Sequence, residues 1–163
     1  MEPSAFDIGD FSQRTARAND ARVVALWFPS HEDATRWGGP DIPNPLTAAW
    51  LESEVADGSY FVGVDRKSEV VAIYSLKRID EDAIHLRRFA IAPFLRGRGA
   101  GKAMITEIAG LARTKGARWL SLWVYGSNKA AIHLYKNAGF REIGTRAAAE
   151  DSSGLCVRMR LDL

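Results

Sequence analysis

The residues Arg96-Gly97-Arg98-Gly99-Ala100-Gly101 put three glycines and two arginines between an apolar strand pattern and an amphipathic helix. That succession suits a compact polyanion. The first N–H groups of a helix have no partner inside it, and the helix dipole adds partial positive charge at the same end. Gly97, Gly99 and Gly101 let anionic oxygens approach the backbone with no Cβ in the way. Arg96, Arg98 and Lys102 add charge, and no Asp or Glu occurs from Ala83 to Thr106, where Arg87 and Arg88 also fall. A solvated basic face is the plainer explanation of the charges, but it gives no reason for the glycines. Two other nucleotide motifs do not fit. Gly101-Lys102 is followed by Ala103 where a P-loop needs Ser or Thr, and the glycine spacing is not that of a dinucleotide-binding turn.

Proton-transfer groups are sparse around this segment. The apolar stretches Ala83 to Ala92 and Arg118 to Tyr125 contain no Asp or Glu, which leaves His85 as the one side chain there that titrates near neutrality. Its alternative role is structural. Glu32, Asp33, Asp41, Glu52 and Glu54 are further candidates for a base, with nothing in the sequence to rank them. His133 is expected in solvent and His31 at a helix start. No grouping has metal-ligand spacing, so no metal is expected. Cys156, the single cysteine, lies in an apolar run and is expected as a buried thiol with no disulfide.

The elements that must position these residues follow from periodicity and punctuation. After a short strand near Phe11 to Ala16, the first sixty residues are mainly helical. Asp20 is expected to cap a helix through Val23, Val24, Leu26 and Trp27, Ser30 a second one to about Trp37, and Thr47 a third from Ala48 to Ala56. Ser59 to Asp65 and Glu69 to Arg78 are strands joined by a turn. In the strand from Ala83 to Ala92, Ile84 and Leu86 share one parity while Phe89 and Ile91 have the other. One inserted residue, a β-bulge near Arg87-Arg88, would explain the switch; burial on both faces is the alternative. A helix from about Gly99 to Lys115 follows, then the strand Arg118 to Tyr125, and a helix carrying Ala131, Leu134, Tyr135 and Ala138. Strands Phe140 to Thr145 and Cys156 to Leu161 end the pattern. The fold class is therefore mixed α/β, with a parallel pair across the right-handed crossover from Ala83 to Tyr125.

Bulk properties narrow the classes. A chain of 163 residues suits one domain with its own core, and 47% hydrophobic against 26% charged residues is ordinary for a globular protein. A net charge of +2 is too small to make the whole molecule a nucleic-acid magnet, so a nucleic-acid-binding module is a weak alternative and no nucleic-acid partner is expected. No run of eighteen apolar residues exists, so no membrane association is expected. The acidic start Met1-Glu2-Pro3-Ser4-Ala5-Phe6-Asp7 lacks a secretory layout, which gives a cytoplasmic expectation.

Arg96-x-x-Gly99-x-Gly101 after an apolar strand, followed by Ser127-Asn128-Lys129-Ala130-Ala131-Ile132-His133-Leu134-Tyr135-Lys136-Asn137-Ala138-Gly139-Phe140, resembles the GNAT superfamily of acetyl-CoA-dependent N-acetyltransferases. The likeness covers roughly Tyr60 to Leu161. It implies a twisted mixed sheet of six to seven strands with about five helices and a bulged central strand. It also implies one acetyltransferase domain over 1–163, with 1–58 as a mainly helical acceptor side and 59–163 as the acetyl-CoA-binding core. Acetyl-CoA would be the cosubstrate, its pyrophosphate on the amides of Arg96, Gly97, Arg98, Gly99, Ala100 and Gly101 with Lys102 beside them. The backbone of Phe89, Ala90 and Ile91 would pair with the pantetheine arm, and Asn128 and Ala131 would contact it from the other side. Tyr135 resembles the general acid for the departing thiolate; a core aromatic is the alternative. Trp27, Trp37, Tyr74, Trp123 and Tyr125 are candidates for an apolar or cation-binding acceptor pocket. The acceptor would be a small-molecule or peptide amine. A non-catalytic acyl-CoA sensor of the same fold is the alternative: the missing strand acid favours it slightly, and the intact Tyr135 and Asn128 argue against it. A monomer or a homodimer is expected.

Overall fold

The computed structural model describes residues 11–163, and Met1 to Asp7, on which the cytoplasmic expectation partly rests, lie outside them. In chain order the elements are β1 (Ser12–Thr15), α1 (Ala18–Ala25), α2 (His31–Gly38), α3 (Ala48–Val55), β2 (Tyr60–Val64), β3 (Val70–Arg78), β4 (Ala83–Ile91), a 3-10 turn at Pro93–Leu95, α4 (Ala100–Thr114), β5 (Trp119–Tyr125), α5 (Lys129–Asn137), β6 (Arg141–Ala147) and β7 (Leu155–Asp162). Seven strands form one sheet in the order β1-β2-β3-β4-β5-β7-β6. Only β4 and β5 run parallel, joined through α4, while the other neighbours are antiparallel. The mixed α/β sheet with a bulged central strand expected from the sequence is thus present.

Local chemistry accounts for most boundaries. Ser30 and Thr47 accept N–H bonds from Asp33 and Trp50, capping α2 and α3. Asp20 caps α1 from inside the helix, not from the N-cap position, which Arg17 holds. It sits inside the first turn of α1, where its carboxylate takes the Arg17 N–H at 2.7 Å and both Arg14 nitrogens at 2.7 and 2.9 Å. The bidentate guanidinium of Arg14 on β1 adds to that capping bond and ties the helix start to the strand.

Cross-strand register assigns the faces, since directly paired residues share one side of the sheet. Gly63, Ala72, Leu76, Leu86, Leu120, Leu122 and Met159 belong to the face under α4. Met104 of α4 stands where a Cβ on Gly63 would be, 2.8 Å from it. Tyr60, Ser75, His85, Ser121, Trp123 and Arg158 belong to the opposite face, toward α3, whose Glu54 meets the Tyr60 hydroxyl. Gly63→Val should therefore overpack the β2–α4 contact and cost about 1–3 kcal/mol in urea unfolding.

Candidate active site

The strand pair β4–β5 carries the geometry. Pairing runs only from Ala83↔Trp119 to His85↔Ser121 and then stops. β5 continues with β7 along its whole length, and β4 continues with β3. The sheet therefore opens like a wedge between its two central strands.

The cause lies in β4. Ser75 pairs with Arg87 while Ile73 pairs with Ala90, so one residue of β3, Tyr74, faces two of β4, Arg88 and Phe89. The extra residue is Arg88, with a φ of 50°. This is the bulge inferred from the parity switch. A left-handed non-glycine residue needs support from its surroundings, and Arg88 has it. Trp37 Nε1–H donates to the Arg88 carbonyl at 2.8 Å. The Arg88 guanidinium donates to the Gly38 carbonyl at 3.1 Å, to Glu54 at 2.9 Å and to the Tyr60 hydroxyl, and stands 5.4 Å from the Trp50 ring. Helices α2 and α3 are fastened to the bulge through this one residue, by its carbonyl and its guanidinium.

Beyond the bulge, the Ala92 N–H bonds back to Val71 on β3. By alternation the Ala90 N–H also points toward β3, and those of Phe89 and Ile91 point into the wedge. The glycine-rich segment closes the wider end. Arg96 and Arg98 spend their N–H groups on turns to Pro93 and Leu95, at 3.3 and 3.4 Å. Gly97, with φ of 76°, and Gly99, with φ of 82°, hold conformations that side-chain-bearing residues avoid, and space is open where their Cβ atoms would stand. Gly99 caps α4, so the N–H groups of Ala100, Gly101 and Lys102 have no acceptor within the helix. Gly101 serves packing as well, because a Cβ there would stand 3.0 Å from Leu134 on α5.

A cleft of about 780 Å³ passes through the opening. Phe89, Ala90, Ile91, Arg96, Gly97, Gly99, Gly101 and Lys102 line it on one side, Asn128, Ala131 and Tyr135 on another. The last three lie three and four positions apart on α5 and so share a face. Asn128 accepts the Ala131 N–H at 3.3 Å and caps α5. Tyr135 is 8% exposed, its ring packs 5.5 Å from Phe140, and burial pushes its hydroxyl well above the usual phenol range. Its hydroxyl is therefore protonated at neutral pH.

The aromatic candidates divide. Trp37 and Trp123 line the cleft, and Phe28, stacked on Trp37 at 4.5 Å, lines it too. Trp27 is in the core, Tyr74 is buried against Phe61 and Gln13, and Tyr125 donates to Glu150 at 2.9 Å; none of these three lines the cleft. Among the acids left unranked by the sequence, Asp33 alone lines the cleft, whereas Glu54 is held by Arg88. His133, expected in solvent, is exposed at the rim.

His85 lies where β4 and β5 still pair, outside the cleft lining, with Nδ1 2.7 Å from Ser121 Oγ. Burial, reinforced by Arg158, Arg87, Arg146 and Lys77, pulls its pKa down to about 4. An unfolded imidazole protonates near 6.5, so this group's contribution is complete above that pH and is lost as pH falls toward 4. His85→Gln should flatten that acid-side loss by about 2 kcal/mol, read from urea unfolding at pH 7 and 4.5.

No helix among the described residues is long and apolar enough to cross a membrane. Comparison with known proteins is consistent in kind. Over 99 residues the chain is 32% identical to an uncharacterized N-acetyltransferase of Methanocaldococcus jannaschii, a match covering 57% of this chain and 43% of that protein. It is 27% identical to a mycothiol acetyltransferase of Gordonia bronchialis, covering 76% and 40%. The chain thus spans about two fifths of the length of these relatives. The spermidine N-acetyltransferase of Vibrio cholerae, solved with CoA and spermine, has the same fold, with a TM-score of 0.75 at 18% identity over 94% of this chain and 96% of that one. Residues 24–140 match the acetyltransferase (GNAT) family model, and the chain belongs to that family.

Proposed function

We propose that this chain, as a single domain with 59–163 as its coenzyme-binding core and a cytoplasmic setting, transfers an acetyl group from acetyl-CoA to an amine. The observation that carries the reading is the wedge between β4 and β5, with unpaired N–H groups at one end and a protonated tyrosine on its wall. The cleft volume lies within the range of small-molecule sites. The relative solved with CoA shares this fold.

When bound, acetyl-CoA would supply an activated thioester. The N–H groups of Gly97 and Gly99 and of the first turn of α4, with Arg96 and Lys102, would hold its pyrophosphate. The Phe89 and Ile91 N–H groups would donate to the thioester oxygen as negative charge develops there. The amine nitrogen forms a bond to the carbonyl carbon and the carbon–sulfur bond breaks. Tyr135 gives its proton to the sulfur and is reprotonated from solvent. Asp33, the one acid on the described lining, would take the proton that the nitrogen loses, directly or through water.

Titration calorimetry with acetyl-CoA, CoA and ATP, followed by thiol release with a panel of amines, tests this reading. Micromolar binding of acetyl-CoA with little for ATP, and turnover with at least one amine, is the expected result. Binding without turnover on any amine would favour the non-catalytic sensor instead. Tyr135→Phe should lower turnover by about 100-fold with coenzyme affinity nearly intact. Equal turnover of the two proteins would assign the acid elsewhere. The relatives differ in the acceptors for which they are named, mycothiol in one and spermidine in another, so the acceptor is not inherited from them.

A further inference from the structure

We propose that Asp151, on the loop between β6 and β7, is a positioning residue for the coenzyme: it fixes the chain just before α5 and so holds Asn128 against the cleft. This rests on the acetyl-transfer reading and adds to it a residue that does not itself line the cleft.

The loop is closed on itself before it meets the helix. The Ala148 N–H donates to the Gly154 carbonyl at 3.0 Å, the Gly154 N–H to Asp151 at 2.9 Å and the Asp151 N–H to Ala148 at 3.1 Å. Ala148 and Cys156 pack with Tyr125 in a small buried cluster, and Trp123, on the cleft wall, packs against it. The Tyr125 hydroxyl donates to Glu150 at 2.9 Å. The loop is therefore seated on the end of β5.

From that seat one carboxylate reaches the connection between β5 and α5. Asp151 Oδ2 accepts the Ser127 N–H at 3.2 Å, and Oδ1 accepts the Ser127 hydroxyl. The Ser153 N–H, at 3.1 Å, and the Ser153 hydroxyl donate to Oδ2, so the carboxylate is itself held in place. Its slight burial would raise its pKa, but the donors of Ser127 and Ser153 outweigh this and pull it down to about 2. The acceptor is thus charged at neutral pH, which strengthens its bonds and suits the positive end of a helix. One residue earlier, the Gly126 N–H donates to the Leu155 carbonyl at 2.9 Å, and a Cβ on Gly126 would stand 2.6 Å from Ser153 Oγ. Loop and connection therefore meet at residues 126 and 127, and Asn128 is next in the chain.

The two ends of α5 are held by different means. Asn128 and Ala131, joined by the capping bond, line the cleft within the first turn, and the backbone just before them is tied to Asp151. Tyr135 lies two turns from Asn128, buried against Phe140, whose N–H donates to the Tyr135 carbonyl at 2.9 Å. Loss of the Asp151 carboxylate should therefore loosen the end that meets the coenzyme arm and leave Tyr135 in place. That difference separates KM from kcat.

The test uses the whole chain, with acetyl-CoA varied in calorimetry and in thiol release. Asp151→Ala should raise Kd and KM for acetyl-CoA about tenfold, with kcat within about threefold of the unsubstituted protein. Asp151→Asn keeps an oxygen that accepts from Ser127, and should bring both constants back to within about threefold. A third readout needs no ligand. In hydrogen exchange followed by NMR, the Ala131 and Ile132 N–H groups, both bonded to Asn128, should exchange at least about tenfold faster in Asp151→Ala. The Phe140 N–H should not change. Faster exchange with unchanged coenzyme affinity overturns the proposal, because the tie would then be structural only. A fall in kcat with KM unchanged overturns it too. Faster exchange in the variant, when the unsubstituted protein binds no acetyl-CoA, would keep the tie to Asn128 and remove the acetyl-transfer reading. Coenzyme binding and exchange that are the same in both proteins would do the reverse.

Discussion

Gly99→Glu should fold and lose at least about 100-fold in acetyl-CoA affinity. The two halves of that result have separate causes. No atom lies within 4 Å of where the new Cβ would stand, so packing does not oppose the substitution. The φ of 82° does oppose it, at a cost of about 1–2 kcal/mol for any residue with a Cβ. Binding suffers far more. The side chain would lie where the unpaired N–H groups of α4 begin, and its carboxylate would take the place meant for phosphate oxygens and repel them. Gly99→Ala separates the two effects, since it carries the same backbone strain without the charge. Calorimetric titration beside urea unfolding should show similar stability losses in the two variants and the large affinity loss in the glutamate variant alone. A folded Gly99→Glu protein with unchanged affinity would place the pyrophosphate elsewhere.

The parts of this site legible in the sequence were those fixed by local pattern. The strand, glycine turn and helix start are contiguous, and their backbone chemistry follows from residue type. The bulge was legible because Ile84 and Leu86 change parity to Phe89 and Ile91, and the structure puts the extra residue at Arg88. What pattern could not supply was pairing at a distance. Arg88 is joined to Glu54 and Trp37, which lie 34 and 51 positions away, and nothing in the spacing signals those partners. The same limit applied to the aromatic residues. Alternation put Tyr74 in a strand, but only the full sheet shows that Tyr74 lies on the α4 side against Phe61 while Trp123 meets the cleft. Asp33 could not be told from Glu54 as a candidate base because both sit on short amphipathic helices. The docking of α2 onto β4 distinguishes them.

Arg88 is the position where stability and turnover should fail together, because its side chain joins α2 and α3 to the strand that carries the Phe89 and Ile91 N–H groups. Its guanidinium is largely buried, with 13% of the side chain exposed against 34% for Glu54. Arg88→Ala removes the ion pair and the bond to the Gly38 carbonyl and leaves the Glu54 carboxylate without its cation. The expected cost is about 3 kcal/mol in urea unfolding, at the lower end for breaking a buried pair because Glu54 keeps some water. Arg88→Gly removes the same contacts but relieves the left-handed backbone, so it should be more stable than the alanine variant by about 1 kcal/mol. That ordering is the reverse of the usual rule, under which glycine in a strand is the worse choice. Turnover should not follow it. In both variants the bulge is no longer held by α3, and a displacement of about 1 Å in the N–H donors is enough to cost roughly 100-fold in kcat. Acetyl-CoA affinity, which the proposal assigns mainly to the glycine turn, should change much less. Full turnover in Arg88→Gly would mean that the sheet and the Trp37 bond to the main chain hold the bulge, and the side-chain bonds to Gly38, Glu54 and Tyr60 would then be a matter of stability only.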